Sequence, residues 1–177
     1  MKALVVVDMQ NDFIDGALGT AEAVSIVPAV AEKIRTFDGL VLATRDTHQP
    51  DYLQTQEGRN LPVEHCIEGT FGWKIRPEIA ELICEPPINK PTFGSEALAA
   101  RLKAANDEEP LESITLVGLC TDICVISNAL AMKTAYPEIP VKVYSDLCAG
   151  VTPESHEAAL LTMKMCQVDV MNSWEDK

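Results

Sequence analysis

Short runs of Val, Ile and Leu recur along this chain, and between them lie segments whose apolar residues are spaced for one face of a helix. Residues 2–9 ("KALVVVDM"), 39–46, 111–119, 140–147 and 167–171 read as strands, and "PPINKP" is a weaker strand demoted by its prolines. Residues 25–37, 76–83, 95–105, 121–135 and 152–165 read as helices, with Pro77 in a first turn, Ser95 as an N-cap, and Thr152 capping a helix that opens with Pro153. Strands that are nearly continuous apolar runs are buried on both faces, which requires a parallel sheet with helices above and below. The expectation is α/β: a three-layer α/β/α sandwich around a mainly parallel, Rossmann-like sheet of about six strands. No repeat, low-complexity tract or linker interrupts residues 1–177, so one domain is expected.

Composition removes whole classes of function. The net charge of −13 opposes binding to nucleic acid or to an anionic membrane, since both need clustered Lys and Arg. The opening apolar run stops at Asp8, too short for a signal segment or a membrane span. With Cys66, Cys84, Cys120, Cys124, Cys148 and Cys166 and no C-x-x-C spacing, the chain is expected to be cytoplasmic with reduced thiols.

In a parallel α/β sheet, ligands bind outside the carboxyl ends of the strands. Asp8 closes the first strand, Asp46 and His48 the second and Lys90 the third, and "CTDIC" follows the fourth. Each has an ordinary explanation alone: a capping carboxylate, a solvated lysine, a small buried cysteine. Together they have complementary chemistry. Cys124 falls in the first turn of a helix, where exposed amides and the helix dipole favour a thiolate nucleophile. Asp8 can take its proton and return it to a leaving amine, and Lys90 lowers the pKa of both. Cys120 lacks such a position and reads as packing plus a backbone contribution. In "RDTHQPDYLQTQEGRNLPVEHCIEGT", Asp46 and His48 point the same way from an extended segment, and Glu57 and His65 share the loop. Two imidazoles with carboxylates suit zinc, iron or manganese, although the spacing matches no common zinc signature. The third histidine, His156, sits early in a helix and reads as solvent-facing or capping.

These segments resemble, in order, the cysteine-hydrolase superfamily that contains nicotinamidases and isochorismatases. "VVDMQNDF" resembles its D-x-Q-x-D-F opening, "INKPTFGSEAL" its lysine segment, and "VGLCTDICV" its nucleophile motif. "TRDTH", Glu57 and "HCIEGTFG" resemble the nicotinamidase metal segment. The resemblance implies a triad of Asp8, Lys90 and Cys124. It also implies an oxyanion hole from the backbone N–H groups of Cys120 and Cys124, with a cis peptide before Cys120. It further implies one divalent ion per chain, zinc before iron or manganese, on Asp46, His48, Glu57 and His65. The implied substrate is a small carboxamide such as nicotinamide, lined by Phe13, and the implied assembly is a homo-oligomer.

One departure bears on the pocket. Where nicotinamidases often carry W-P-x-H, this chain has "LPVEH", with Leu61 at the aromatic position and one extra residue. Trp73 or Phe93 is then the substitute ring, each with ordinary packing as its rival explanation. The competing functions are a metal-free carbamoyl amidase, a non-catalytic binding module and a thiol sensor built on Cys120 and Cys124.

Overall fold

The computed structural model describes residues 1–173. Its elements run β1 (Lys2–Val7), α1 (Asn11–Ile14), α2 (Ala21–Thr36), β2 (Leu40–Asp46), a 3-10 turn (Tyr52–Gln54), α3 (Gln56–Asn60), α4 (Pro77–Ala80) and β3 (Ile88–Lys90). The second half adds α5 (Glu96–Glu108), β4 (Ser113–Leu119), a π-type turn (Thr121–Val125), α6 (Ile126–Ala135), β5 (Val141–Ala149), α7 (Pro153–Met165) and β6 (Asp169–Met171). The six strands form one sheet in the order β3-β2-β1-β4-β5-β6, and every pairing is parallel.

Alternation along β1 explains the layers. Ala3, Val5 and Val7 pack with Leu98 and Leu102 of α5, Ala129 and Met132 of α6, and Leu160 and Met163 of α7. Leu4 and Val6 face the other way, onto Ile26, Val30 and Ile34 of α2 and Ile79 of α4. The residues of β1 are therefore divided between two cores, and its first buried polar side chain comes just past its end, at Asp8. The three-layer expectation is met. Ser95, Thr152 and Pro77 take the capping positions expected of them. The helix expected to start at residue 25 begins earlier, at Ala21, because the Thr20 side chain accepts from Ala23 N, and it continues through Pro28.

The order reverses beside β1: successive strands step outward to β3, and then the chain crosses back to lay β4 against β1. That switch point is where an open α/β sheet has its crevice. Gly118 makes the approach of β4 to β1 possible. It has φ +115°, and a Cβ there would drive into Val7 O. Among the described residues no helix is long and apolar enough to cross a membrane.

Candidate active site

Register brings the reactive groups together. Asp46 is paired with Lys90 across β2 and β3, and Val7 with Gly118 across β1 and β4, so Asp8, Asp46, Lys90 and the turn after Leu119 end on one rim. Lys90 Nζ lies 2.7 Å from Asp8 Oδ2, 3.2 Å from Cys124 Sγ and 3.4 Å from Asp46 Oδ1. Asp8 is wholly buried, its Oδ1 accepts from Thr44 Oγ1 at 2.7 Å, and its φ of +47° is a left-handed conformation that Asp tolerates better than most residues. The Leu119–Cys120 peptide is cis. Beyond it the chain does not enter an ordinary helix, as the periodicity suggested. Val125 N donates to Cys120 O, an i→i+5 bond that makes a π-type turn around Cys124.

The electrostatics correct one expectation. A helix terminus was expected to favour the Cys124 thiolate, yet burial and then the Asp8 charge push this thiol well above its ordinary pKa, opposed only in part by Lys90. The magnitudes explain the outcome. A dipole at a helix end is worth at most about 2 kcal/mol, whereas burial can shift a group by roughly 3–5 pKa units, or about 4–7 kcal/mol. Burial therefore opposes the thiolate that the position of Cys124 in the turn favours. Burial also raises the Asp8 carboxyl, with the Lys90 ammonium only partly offsetting it, which makes Asp8 a stronger base than an exposed aspartate. Lys90 Nζ stands 2.7 Å from Asp8 Oδ2 and 3.2 Å from Cys124 Sγ, so thiol and carboxyl share one ammonium neighbour. Burial works against the Lys90 ammonium, but Asp8, Cys124 and Asp46 outweigh it and keep Lys90 charged.

The second cluster adjoins the first through Asp46. Its Oδ1 faces Lys90, while Oδ2 lies 3.0 Å from His48 Nε2 and 3.8 Å from His65 Nε2. One donor atom from each of Asp46, His48 and His65 lies within 4.8 Å of the others, and all three residues are buried. Glu57 Oε1 stands 3.6 Å from His48 Nε2 and 3.9 Å from His65 Nε2. The arrangement fits a divalent cation on two counts. His48 Nε2 is buried and faces the carboxylate oxygens of Asp46 at 3.0 Å and Glu57 at 3.6 Å, a mixed nitrogen and oxygen donor set that suits a divalent metal. His65 Nδ1 bonds to Val63 O at 2.8 Å, which commits that nitrogen to the proton and leaves the Nε2 lone pair facing the cluster.

Two functional residues escape a reading of the sequence. Gln10 holds Asp46 by its backbone: Nε2 donates to Asp46 O at 2.8 Å and to Trp73 O at 2.9 Å, and Oε1 accepts from Asp46 N at 2.7 Å. Asp12 Oδ2 accepts from Cys66 N at 2.8 Å, fixing the residue next to His65. The D-x-Q-x-D spacing was the available signal, since a polar side chain directly after a buried strand must find partners. Of the two readings of His156, the capping one fits: it is half-buried, and its Nδ1 lies 2.8 Å from the hydroxyl of buried Thr121 in the turn that carries Cys124.

Both clusters open on one cavity of about 460 Å³, whose lining includes Phe13, Leu61, Phe93, Cys120, Cys124 and His65. Phe13 packs its ring 5.5 Å from that of His65. Trp73 does not line this cavity; Arg45 stacks on it at 3.5 Å and its indole N–H donates to Thr47 Oγ1. Of the two substitute rings considered, Phe93 alone faces the site. Among the described residues, no Lys or Arg lines the cavity.

The isochorismatase domain profile matches residues 2–175 of this chain. The nicotinamidase/pyrazinamidase of Mycobacterium tuberculosis is 25% identical over 193 residues, covering 98% of this chain and 100% of that one. The pyrazinamidase of Pyrococcus horikoshii, solved in complex with zinc, matches with TM-score 0.79 and 29% identity over 96% of this chain and 98% of that one. The N-carbamoylsarcosine amidase of Thermoplasma acidophilum matches with TM-score 0.78 and 29% identity over 100% and 99%.

Proposed function

This chain belongs to the isochorismatase family, and from that premise we propose that it is a metal-dependent amidase that hydrolyses nicotinamide to nicotinate and ammonia. The observation that carries the reading is Lys90 Nζ standing 2.7 Å from Asp8 and 3.2 Å from Cys124, with Cys124 lining the same cavity as Asp46, Glu57 and His65. Asp8 takes the Cys124 proton as the sulfur attacks the amide carbonyl, and Lys90 balances the charge. The backbone N–H groups of Cys120 and Cys124 receive the oxyanion, each such donor being worth about 3 kcal/mol. Asp8 then delivers the proton to departing ammonia, and afterwards deprotonates the water that cleaves the thioester. Asp46, His48 and His65, with Glu57, would hold the divalent ion, zinc before iron or manganese. That ion would supply a Lewis-acid anchor for the pyridine nitrogen. Phe13 and Leu61 would flank the ring.

A carbamoyl amide is the second reading, favoured by the likeness to N-carbamoylsarcosine amidase. It is weaker, because a substrate carboxylate calls for a cation and, among the described residues, neither Lys nor Arg lines the cavity. The acidic surface and six free cysteines support a cytoplasmic, single-domain enzyme that is a homo-oligomer, as the family resemblance implies. The test is ammonia release from nicotinamide by the metal-quantified protein, with Cys124→Ala as control. Cysteine-dependent turnover with about one metal per chain is expected; metal-loaded protein that leaves nicotinamide intact would overturn the substrate, and turnover surviving Cys124→Ala would overturn the mechanism.

A further inference from the structure

The side chain of Phe93 is exposed, at 46%, and lines the cavity beside Cys124, while the loop that carries it is held from two sides. Asn128, fully buried on α6, donates from Nδ2 to Phe93 O at 3.0 Å and to Cys124 O at 2.8 Å, and its Oδ1 accepts from Ser95 N at 3.0 Å. On the other side Lys90 Nζ donates to Thr92 O at 3.2 Å. Asparagine is a poor choice for a buried helix interior unless its amide serves several partners. Here one amide ties the 91–95 loop, the cap of α5 and the carbonyl of the nucleophile itself into one unit. A ring on an immobilised backbone, facing the cavity that holds Cys124, is a preorganised wall with little ordering cost on binding.

From this network we infer that Phe93 is the aromatic specificity wall of the site and that Asn128 is the positioning residue that sets it relative to Cys124. The inference rests on the amidase reading, and it names the substrate class more closely: carboxamides whose acyl or amide substituent carries a flat ring. Leu61, which replaces the expected aromatic residue, is then complemented within the same cavity by Phe93, from the segment that follows Lys90. An aromatic pair adds a modest contribution beyond area burial, so loss of Phe93 weakens selection for a ring without disabling the chemistry.

Two readouts separate this inference from the nicotinamidase assignment. The first is KM and kcat for nicotinamide. The second needs no turnover: the rates at which iodoacetamide and N-benzyliodoacetamide alkylate Cys124, the sulfur displacing iodide in each case. Phe93→Ala is expected to lower the benzyl-to-parent rate ratio about 3- to 10-fold and to raise KM by a similar factor with kcat nearly kept. Asn128→Asp keeps an acceptor for Ser95 N but removes the amide donors, and is expected to lower the same ratio. The double variant should fall no further than Phe93→Ala alone, because Asn128 acts through Phe93. A general loss of structure would expose Cys124 and speed its reaction with both reagents, so each variant is first shown to melt at the parent's temperature. If Asn128→Asp does not fold, Phe93→Leu decides through the ratio, and a retained ratio overturns the wall. Nicotinamide turnover with a ratio insensitive to Phe93 sinks this inference alone. A sensitive ratio in a protein inert toward nicotinamide upholds it and sinks the nicotinamidase assignment.

Discussion

The two halves of the site reach the same cavity by different routes. Asp8, Lys90 and Cys124 are set by the sheet: each lies at or just beyond the end of a strand whose parallel register is fixed over its length. His65 and Glu57 come from residues 47–73, where regular pairing has run out and a single bridge, His48 to Ile67, continues the β2 direction. There the supports are side chains. Gln10 holds Asp46, Asn11 Nδ2 donates to Phe71 O at 2.9 Å, and Asp12 holds Cys66 N, so three residues just beyond β1 hold what a strand ladder would otherwise hold. A site half built on a sheet and half on a braced loop should fail in two separable ways: chemistry lost on an intact frame, or a frame loosened around intact chemistry.

Cys124→Ala tests the first kind of failure and carries the largest effect. A triad that acts as a unit loses about 10⁴-fold or more in kcat when its nucleophile is removed. Metal content and melting temperature should both stay near those of the parent, and a variant that lost its metal would show that the two halves are not separable. Asp12→Ala tests the second. It removes the acceptor that fixes Cys66 beside His65, and supporting residues of this kind are worth about 10- to 100-fold in metal affinity. Zinc titration should show that drop while iodoacetamide still reacts with Cys124 at the parent rate; equal loss of both would refute the division.

The same division governs what could be read from the sequence. The sheet, its layers and the rim of reactive groups were legible because apolar runs and helical spacing are local signals, and strand ends follow from them. Thr152 and Ser95 were legible for the same reason, since a cap bonds within three residues. Gln10 and Asp12 were not, because their partners lie 36 and 54 residues away. Nor was the electrostatic balance at Cys124. Helix position is visible in a sequence, but the burial that opposes it belongs to the assembled core. The π-type turn was hidden too, since one i→i+5 bond barely alters apolar periodicity. For His156 the choice between solvent and capping was open, because Thr121, its partner, lies 35 residues earlier.

Acidity should move the loop half more gently. Burial lowers the His48 pKa, but the Asp46 hydrogen bond, the Asp46 charge and Glu57 outweigh it and leave the imidazole above its ordinary value. A metal needs the neutral ring, so zinc affinity should fall by up to about tenfold per pH unit as pH drops through that raised pKa. Stability of the metal-free protein should run the other way. A base whose pKa is raised by folding stabilises the fold fully below its unfolded value and loses that contribution as pH climbs through the folded one. Melting temperature measured from mildly acidic to mildly alkaline pH should therefore decline slightly without metal and rise with zinc present. Parallel curves would mean that His48 does not bind the ion.

Tyr52→Phe is the finest probe, because it cuts one brace and leaves the packing. Tyr52 is fully buried, with its ring 4.7 Å from that of His48 and 5.0 Å from that of His65, and its hydroxyl donates to Leu61 O at 2.9 Å. Burial pushes its phenol up to about 12, so it remains a neutral donor across the working range. Removing the hydroxyl leaves the ring between the two imidazoles and frees the Leu61 backbone. The cost should be about 1 kcal/mol of stability, with metal affinity held, kcat held and KM slightly raised as Leu61 loosens. A fall in metal affinity instead would mean that the phenol orients the histidines, and that the brace and the ligand set are a single device.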